Sequence, residues 1–215
     1  MNTRRLVSAI AGLGLAIAMA PAGAAVLLSD NFDADSSVSV LNFNGFINWT
    51  VDSGTVDYIR SGGFGISCLG GVGGCVDSDG STGDAGRLVS KAVFTFPTGS
   101  SGSFSVQASG SQRGGVTPDV LHVGFVFPDL TPLVSFACAR APSDPYSNCG
   151  FNFFSGVTLS VRAFIEGDGG DNVGVVFDNF LLTLDVAQAP EPATLALLGV
   201  GLAGLGFSRR KRAAS

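Results

Sequence analysis

The chain has 215 residues, with 12 Lys and Arg against 17 Asp and Glu and a single His. Half of the basic residues sit in two terminal runs, Arg4-Arg5 and Arg209-Arg210-Lys211-Arg212, so residues 26–188 carry six basic against sixteen acidic side chains, a net of about −10. That balance excludes a nucleic-acid reader, which needs a basic face for phosphates, and leaves divalent cations or a solvated acidic surface as the compatible readings.

In chain order, Arg4 and Arg5 precede an apolar run from Leu6 to Met19 and the small residues Ala22-Gly23-Ala24. This reads as a secretory signal peptide over 1–25, cut after Ala24 or Ala25. The body, 26–188, is one domain's worth of chain, long enough for its own core.

No window of a dozen residues in the body keeps a helical period. Short apolar or alternating runs are separated by Gly, Asp, Asn, Ser and Pro, which is the signature of an all-β sandwich or barrel. The predicted strands are 26–29, 49–51, 56–59, 75–77, 88–96, 104–109, 120–127, 133–137, 157–165 and 173–184. The run 88–96 alternates best. In 120–127, Val120, His122, Gly124 and Val126 fall on one face, and Leu121, Val123, Phe125 and Phe127 on the other. Some ten short strands predict two packed sheets, a jelly roll.

Cys68, Cys75, Cys138 and Cys149 in an exported chain predict two disulfides. The expected pairing is sequential, 68 with 75 and 138 with 149. It closes two short loops and clamps local shape. No C-x-x-C pair accompanies the lone His122, so a zinc site is not expected.

The residues do not predict an enzyme. A Ser-His-Asp triad would need His122, which sits mid-strand and reads as structural. A glycosidase would need two facing carboxylates, but Glu166 is the one Glu in the body. The aspartates cluster in Gly/Ser turns, where their side chains bond local backbone. Asp77-Ser78-Asp79-Gly80 has the oxygen ligands calcium takes, without the later acids of an EF-hand loop. For a glycan, the stacking candidates are Tyr146, in the Cys138–Cys149 loop, and Trp49, which fits a core plug equally well.

The tail carries three signals in order: Pro190-Glu191-Pro192; an uncharged Leu- and Gly-rich run over 193–207; and the basic cluster 209–212. The fifteen residues of the run make a helix of about 22 Å, shorter than a hydrocarbon core of about 30 Å. Snorkelling Arg and Lys can absorb the difference. The basic end predicts a cytoplasmic C-terminus with the body outside. This 189–212 segment resembles the PEP-CTERM sorting signal of exported bacterial proteins. The resemblance implies processing by an exosortase, a membrane-embedded cysteine protease. It also implies transient anchoring in the inner membrane, then delivery to the outer surface or extracellular matrix, often alongside exopolysaccharide.

The phrases at 76–83, 109–114 and 170–180 give the body a second resemblance. It is similar to the galactose-binding-like jelly roll of carbohydrate-binding modules. That likeness implies adjacent first and last strands holding a structural calcium, with Asp178 as a ligand and Asp30 or Asp33 opposite. The expected protein is a non-enzymatic, exported β-sandwich that contacts polysaccharide. A ligand-free matrix filler and an Asp-pair glycan hydrolase are the alternatives.

Overall fold

The structure, a computed structural model, describes residues 23–114, 117–170 and 172–185. The expected sorting tail, with Pro190, Glu191, Pro192 and the 209–212 cluster, lies outside them, as does the signal run before Gly23. No helix among the described residues is long and apolar enough to cross a membrane, and the span expected at 193–207 is not among them.

The described chain folds as twelve strands: β1 Ala24–Asp30, β2 Trp49–Ser53, β3 Asp57–Arg60, β4 Gly74–Asp77, β5 Arg87–Ser90, β6 Phe94–Phe96, β7 Ser100–Ser109, β8 Asp119–Val126, β9 Pro132–Arg140, β10 Ser147–Ser155, β11 Leu159–Gly167 and β12 Val176–Asp185. They form two antiparallel sheets. The first runs β10-β7-β12-β4-β3, with β1 also on β12; the second runs β2-β5-β11-β8-β9, with β6 also on β11. The first and last strands lie together as expected, Ala24 against Asp185 through Asp30 against Phe180. The cut expected after Ala24 or Ala25 would fall at the first residues of β1.

Alternation along the strands makes the core. Leu121, Val123 and Phe125 from β8, and Val161, Ala163 and Ile165 from β11, face Phe104 and Val106 of β7 and Phe177, Phe180 and Leu182 of β12. Aromatic rings interlock across this layer. Phe104 meets Phe180 edge-on at 4.9 Å and Phe125 at 5.6 Å, spacings that add to area burial. Gly23–Val186 is one compact unit, and both disulfides and all the clustered core residues fall within it.

Most strand ends shift by a few residues from expectation, and two differences go further. The run 88–96 is two strands on the same partner, β5 opposite 164–166 and β6 opposite 159–161 of β11. Between them the Ser90 hydroxyl accepts the Ala163 N–H at 3.0 Å, so a side chain replaces the missing backbone acceptor. Strand β10 was not predicted, although Cys149, Phe151 and Phe153 alternate with Asn148, Gly150 and Asn152. It pairs with β7 over its full length.

Candidate functional site

The outer faces of the two sheets are treated differently by the chain. On the second sheet, register lines up the outward residues in rows. Glu166 of β11 lies between Arg87 of β5 and His122 of β8, and His122 faces Ala137 of β9. The next row is Val89, Phe164, Gly124 and Ser135; beyond it Arg162 faces Val126. Val89, Val126 and Phe164, with Leu130 against them, form an apolar cluster separate from the main core. Gly124 makes the middle row flat. A Cβ there would meet the Val134 carbonyl oxygen at 1.9 Å and the Phe164 ring at 2.8 Å, so the ring lies over bare backbone.

These rows border an open trough of about 380 Å³, lined among others by Arg87, His122, Ser135, Phe164, Glu166 and Asp168. Arg87 is clamped to Asp52, its Nε donating to Oδ1 at 2.9 Å. Asp52 and then Glu166 hold the guanidinium protonated. The trough thus sets half-buried hydrogen-bonding groups beside a buried apolar cluster. The residues that line it were legible only in part. The alternation of β8 put His122 and Gly124 on one face, but which face looked outward needed the partner strands.

On the first sheet the outward side chains Ile59, Cys75 and Val176 are covered by the segment 61–73, a strap closed by the Cys68–Cys75 disulfide. Left-handed glycines, among them Gly70, Gly71 and Gly73, let the strap turn tightly. Gln112 fixes it with both ends of its amide, accepting from Ser67 N and donating to Ser67 O, each at 2.9 Å. Tyr146 packs its ring on this second apolar cluster, and its hydroxyl donates to Ser67 O at 3.2 Å. Burial, then the charge of Asp178, push the phenol pKa up. A notch of about 290 Å³ remains beside it, but its Gln112 and Tyr146 groups are spent on holding the strap. Tyr146 is therefore a half-buried latch and not the exposed platform the sequence suggested.

Trp49 is fully buried. It stacks near Phe32, meets Phe180 edge-on at 4.8 Å and donates from Nε1 to Asp30 Oδ2 at 2.9 Å. It is a core residue with a satisfied N–H; the reading of Trp49 as a sugar platform is corrected, because no face of the indole reaches solvent.

Asp30, Asp33 and Asp178 are brought near one another, since the charges of Asp33 and Asp30 add to the burial that raises the Asp178 pKa to about 7. Their oxygens face N–H donors. Asp30 accepts from Phe32 N, Asn48 Nδ2 and Trp49 Nε1; Asp33 from Gly74 N and Asn31 Nδ2; Asp178 from Leu69 N and Asn179 N. A cation needs lone pairs free of such donors. No group of three or more His, Cys, Asp or Glu among the described residues is placed to hold a metal. Through these bonds the three aspartates brace loops. Asp77, of the Asp77-Ser78-Asp79-Gly80 turn, is buried in an ion pair with Arg113 and accepts from Asp79 N and Gly174 N. Burial outweighs Arg113 and these donors and lifts its pKa to about 7.

The disulfides join as expected, Cys68 to Cys75 and Cys138 to Cys149.

Among solved structures, the fold is similar to part of an arabinose-bound MgGH51 α-L-arabinofuranosidase, with TM-score 0.52, 11% identity, and 72% of this chain and 26% of that chain covered. This chain thus matches about a quarter of that enzyme. The CBM22-1–GH10 modules of Clostridium thermocellum xylanase 10B, complexed with xylohexaose, align at TM-score 0.46 and 16% identity over 76% of this chain and 29% of that one. The CBM22-1 xylan-binding domain of Paenibacillus barcinonensis Xyn10C aligns at 0.40 and 13% over 78% and 99%. No curated protein matches the chain. Residues 188–211 match the PEP-CTERM protein-sorting motif. The chain is an exported β-sandwich protein that carries this motif at its C-terminal end.

Proposed function

We propose that the sandwich is a non-enzymatic polysaccharide-binding domain of the cell surface or extracellular matrix, and that the trough on the second sheet is its binding site. The tail would pass it through the inner membrane to an exosortase. The observation that carries the reading is the open trough itself, where the half-buried polar side chains Arg87, Glu166 and His122 stand in one row across three strands, with the exposed Pro132, Ser135 and Asp168 at its margin. A sugar ring has an apolar face and a polar rim; the polar row with Ser135 and Asp168 would meet the rim, and the exposed Pro132 the face. The trough crosses β5, β11, β8 and β9, roughly 14 Å at about 4.8 Å per strand, which suits a chain of sugars better than a single one.

Charge narrows the polymer. Glu166 and Asp168 border the trough, Arg87 is already neutralised by Asp52, and the domain is strongly acidic. A uronic-acid polymer would meet like charge, so the fitting ligand is neutral or amine-bearing.

The carboxylates with raised pKa, Asp35, Asp77 and Asp178, do not line the trough. A hydrolase needs its raised carboxyl at the scissile bond, so this placement favours binding over hydrolysis. The test is affinity electrophoresis of residues 23–186 on a panel of neutral, amine-bearing and uronate polysaccharides, with a reducing-end assay alongside. Retardation by a neutral or amine-bearing polymer without new reducing ends is expected. Release of reducing ends that Glu166→Gln abolishes would replace the reading with a hydrolase. No retardation by any polymer would leave a matrix filler.

A further inference from the structure

Strands β9 and β10 end the two sheets on the same side of the sandwich. The chain passes from one sheet to the other between them, and Cys138–Cys149 ties them at one end, Cα to Cα 5.9 Å. Away from the disulfide, an apolar margin is left open. Val134 and Phe136 of β9 are 42% and 45% exposed, and Phe136 leans on the half-buried Phe151 of β10 at 6.3 Å. Among the described residues no strand pairs with the far edge of β9. An edge of this length presents a row of unpaired N–H and C=O groups, which soluble proteins ordinarily blunt with charge. Between Pro132 and Arg140, which open and close β9, no residue carries a charge, and 147–155 carries none either, in a domain whose net charge is about −10.

We infer that β9 is a homotypic pairing edge, and that a second copy of this chain adds its own β9 antiparallel to it across a two-fold axis at Phe136. Two domains of the same strong charge repel wherever their acids meet, so an uncharged margin is where two copies can approach. The antiparallel ladder is self-complementary under a two-fold. It puts Phe136 of one copy opposite Phe136 of the other on the inner face, and Val134 opposite Cys138. The strand is about 30 Å long. The pairing joins the two second sheets edge to edge and covers the open apolar margin of both sandwiches. So narrow a contact lies below the standard interface size and fits a weak, reversible dimer. The pairing leaves Arg87 of β5 and Glu166 of β11 uncovered and adjoins the trough at Pro132 and Ser135 of β9; it does not depend on a polysaccharide ligand.

The test is sedimentation equilibrium of residues 23–186 from about 1 to 200 μM, for the wild type, Phe136→Lys and Val134→Lys, each checked for a cooperative melt. Both positions are partly exposed, so at least one variant is expected to fold. In the pairing, the lysines introduced at position 136 of the two copies would face one another directly, and like charges opposite each other destabilise a ladder. Expected is a monomer–dimer equilibrium in the wild type that weakens at least tenfold in a folded Lys variant, with concentration-dependent amide-exchange protection over 132–138. A wild type monomeric at 200 μM would overturn the inference. So would a dimer that a folded Lys variant leaves unchanged, or a ladder of species larger than dimers, since pairing of β9 alone closes at two copies.

Discussion

The outer faces of the two sheets use the same kinds of residue to opposite ends. On the first sheet a carboxylate, Asp178, and an aromatic, Tyr146, are roofed by the disulfide-closed strap and consumed by its hydrogen bonds. On the second, Glu166, Asp168 and His122 stand around an open trough floored by Phe164. What separates a binding group from a bracing group here is the covering segment. Residue type and abundance do not distinguish them. A carboxylate under a roof meets backbone N–H groups and loses its capacity for a ligand, while a carboxylate on an uncovered strand keeps it.

The strongest perturbation acts on the core that backs both faces. Trp49→Ala removes a fully buried ring and leaves Asp30 with one donor fewer, so a loss of about 3–5 kcal/mol is expected in chemical denaturation. A loss under about 1 kcal/mol would mean the indole is not packed as described. The next change separates the faces. Cys68→Ser with Cys75→Ser frees the strap, costs about 2–3 kcal/mol by loop-closure entropy, and should leave polysaccharide retention within twofold of wild type. Retention lost along with the strap would move the binding site to the first sheet.

Acidity gives a third contrast. Asp77 and Asp178 titrate near 7 in the folded domain, raised by burial from an ordinary value of 3.8. Between about pH 4 and 7 the folded state therefore holds protons that the unfolded state has released. Stability falls as pH rises through that window, by at most about 1.4 kcal/mol per pH unit for each group. The melting temperature should be higher at pH 5 than at pH 8, and Asp178→Asn should reduce the difference. A melting temperature that rises over the same interval would contradict the burial of these carboxyls. The smallest effect expected is that of chelation. With the oxygens of Asp30, Asp33 and Asp178 facing N–H donors, EDTA should shift the melt by less than about 1 °C, and a larger drop would reinstate a bound cation.

The sequence was most legible where one periodicity spoke for both the strand and its facing. The alternation of β8 announced a strand and the buried side, Leu121, Val123 and Phe125, that helps build the sandwich. The disulfide pairing followed from short spacings. It was least legible where a covering element decides the outcome. Tyr146 reads as exposed because it follows Pro145 in a loop, yet Ser67, from a segment far off in sequence, takes its hydroxyl. Trp49 gave no local sign that Asp30 would accept its N–H. Strand β10 hid behind asparagines and a glycine, because its outward positions carry residues that usually mark turns. His122 was read as a structural histidine; only the cross-strand partners Glu166 and Ala137 place it on the trough.

The most direct test is to compare Glu166→Gln and His122→Ala with the strap-free double Cys→Ser variant on whichever polysaccharide retards the wild-type domain. The account predicts at least a tenfold loss of affinity, about 1.4 kcal/mol, for each trough variant with an unchanged fold, and none for the strap variant. Unchanged affinity in both trough variants would contradict it.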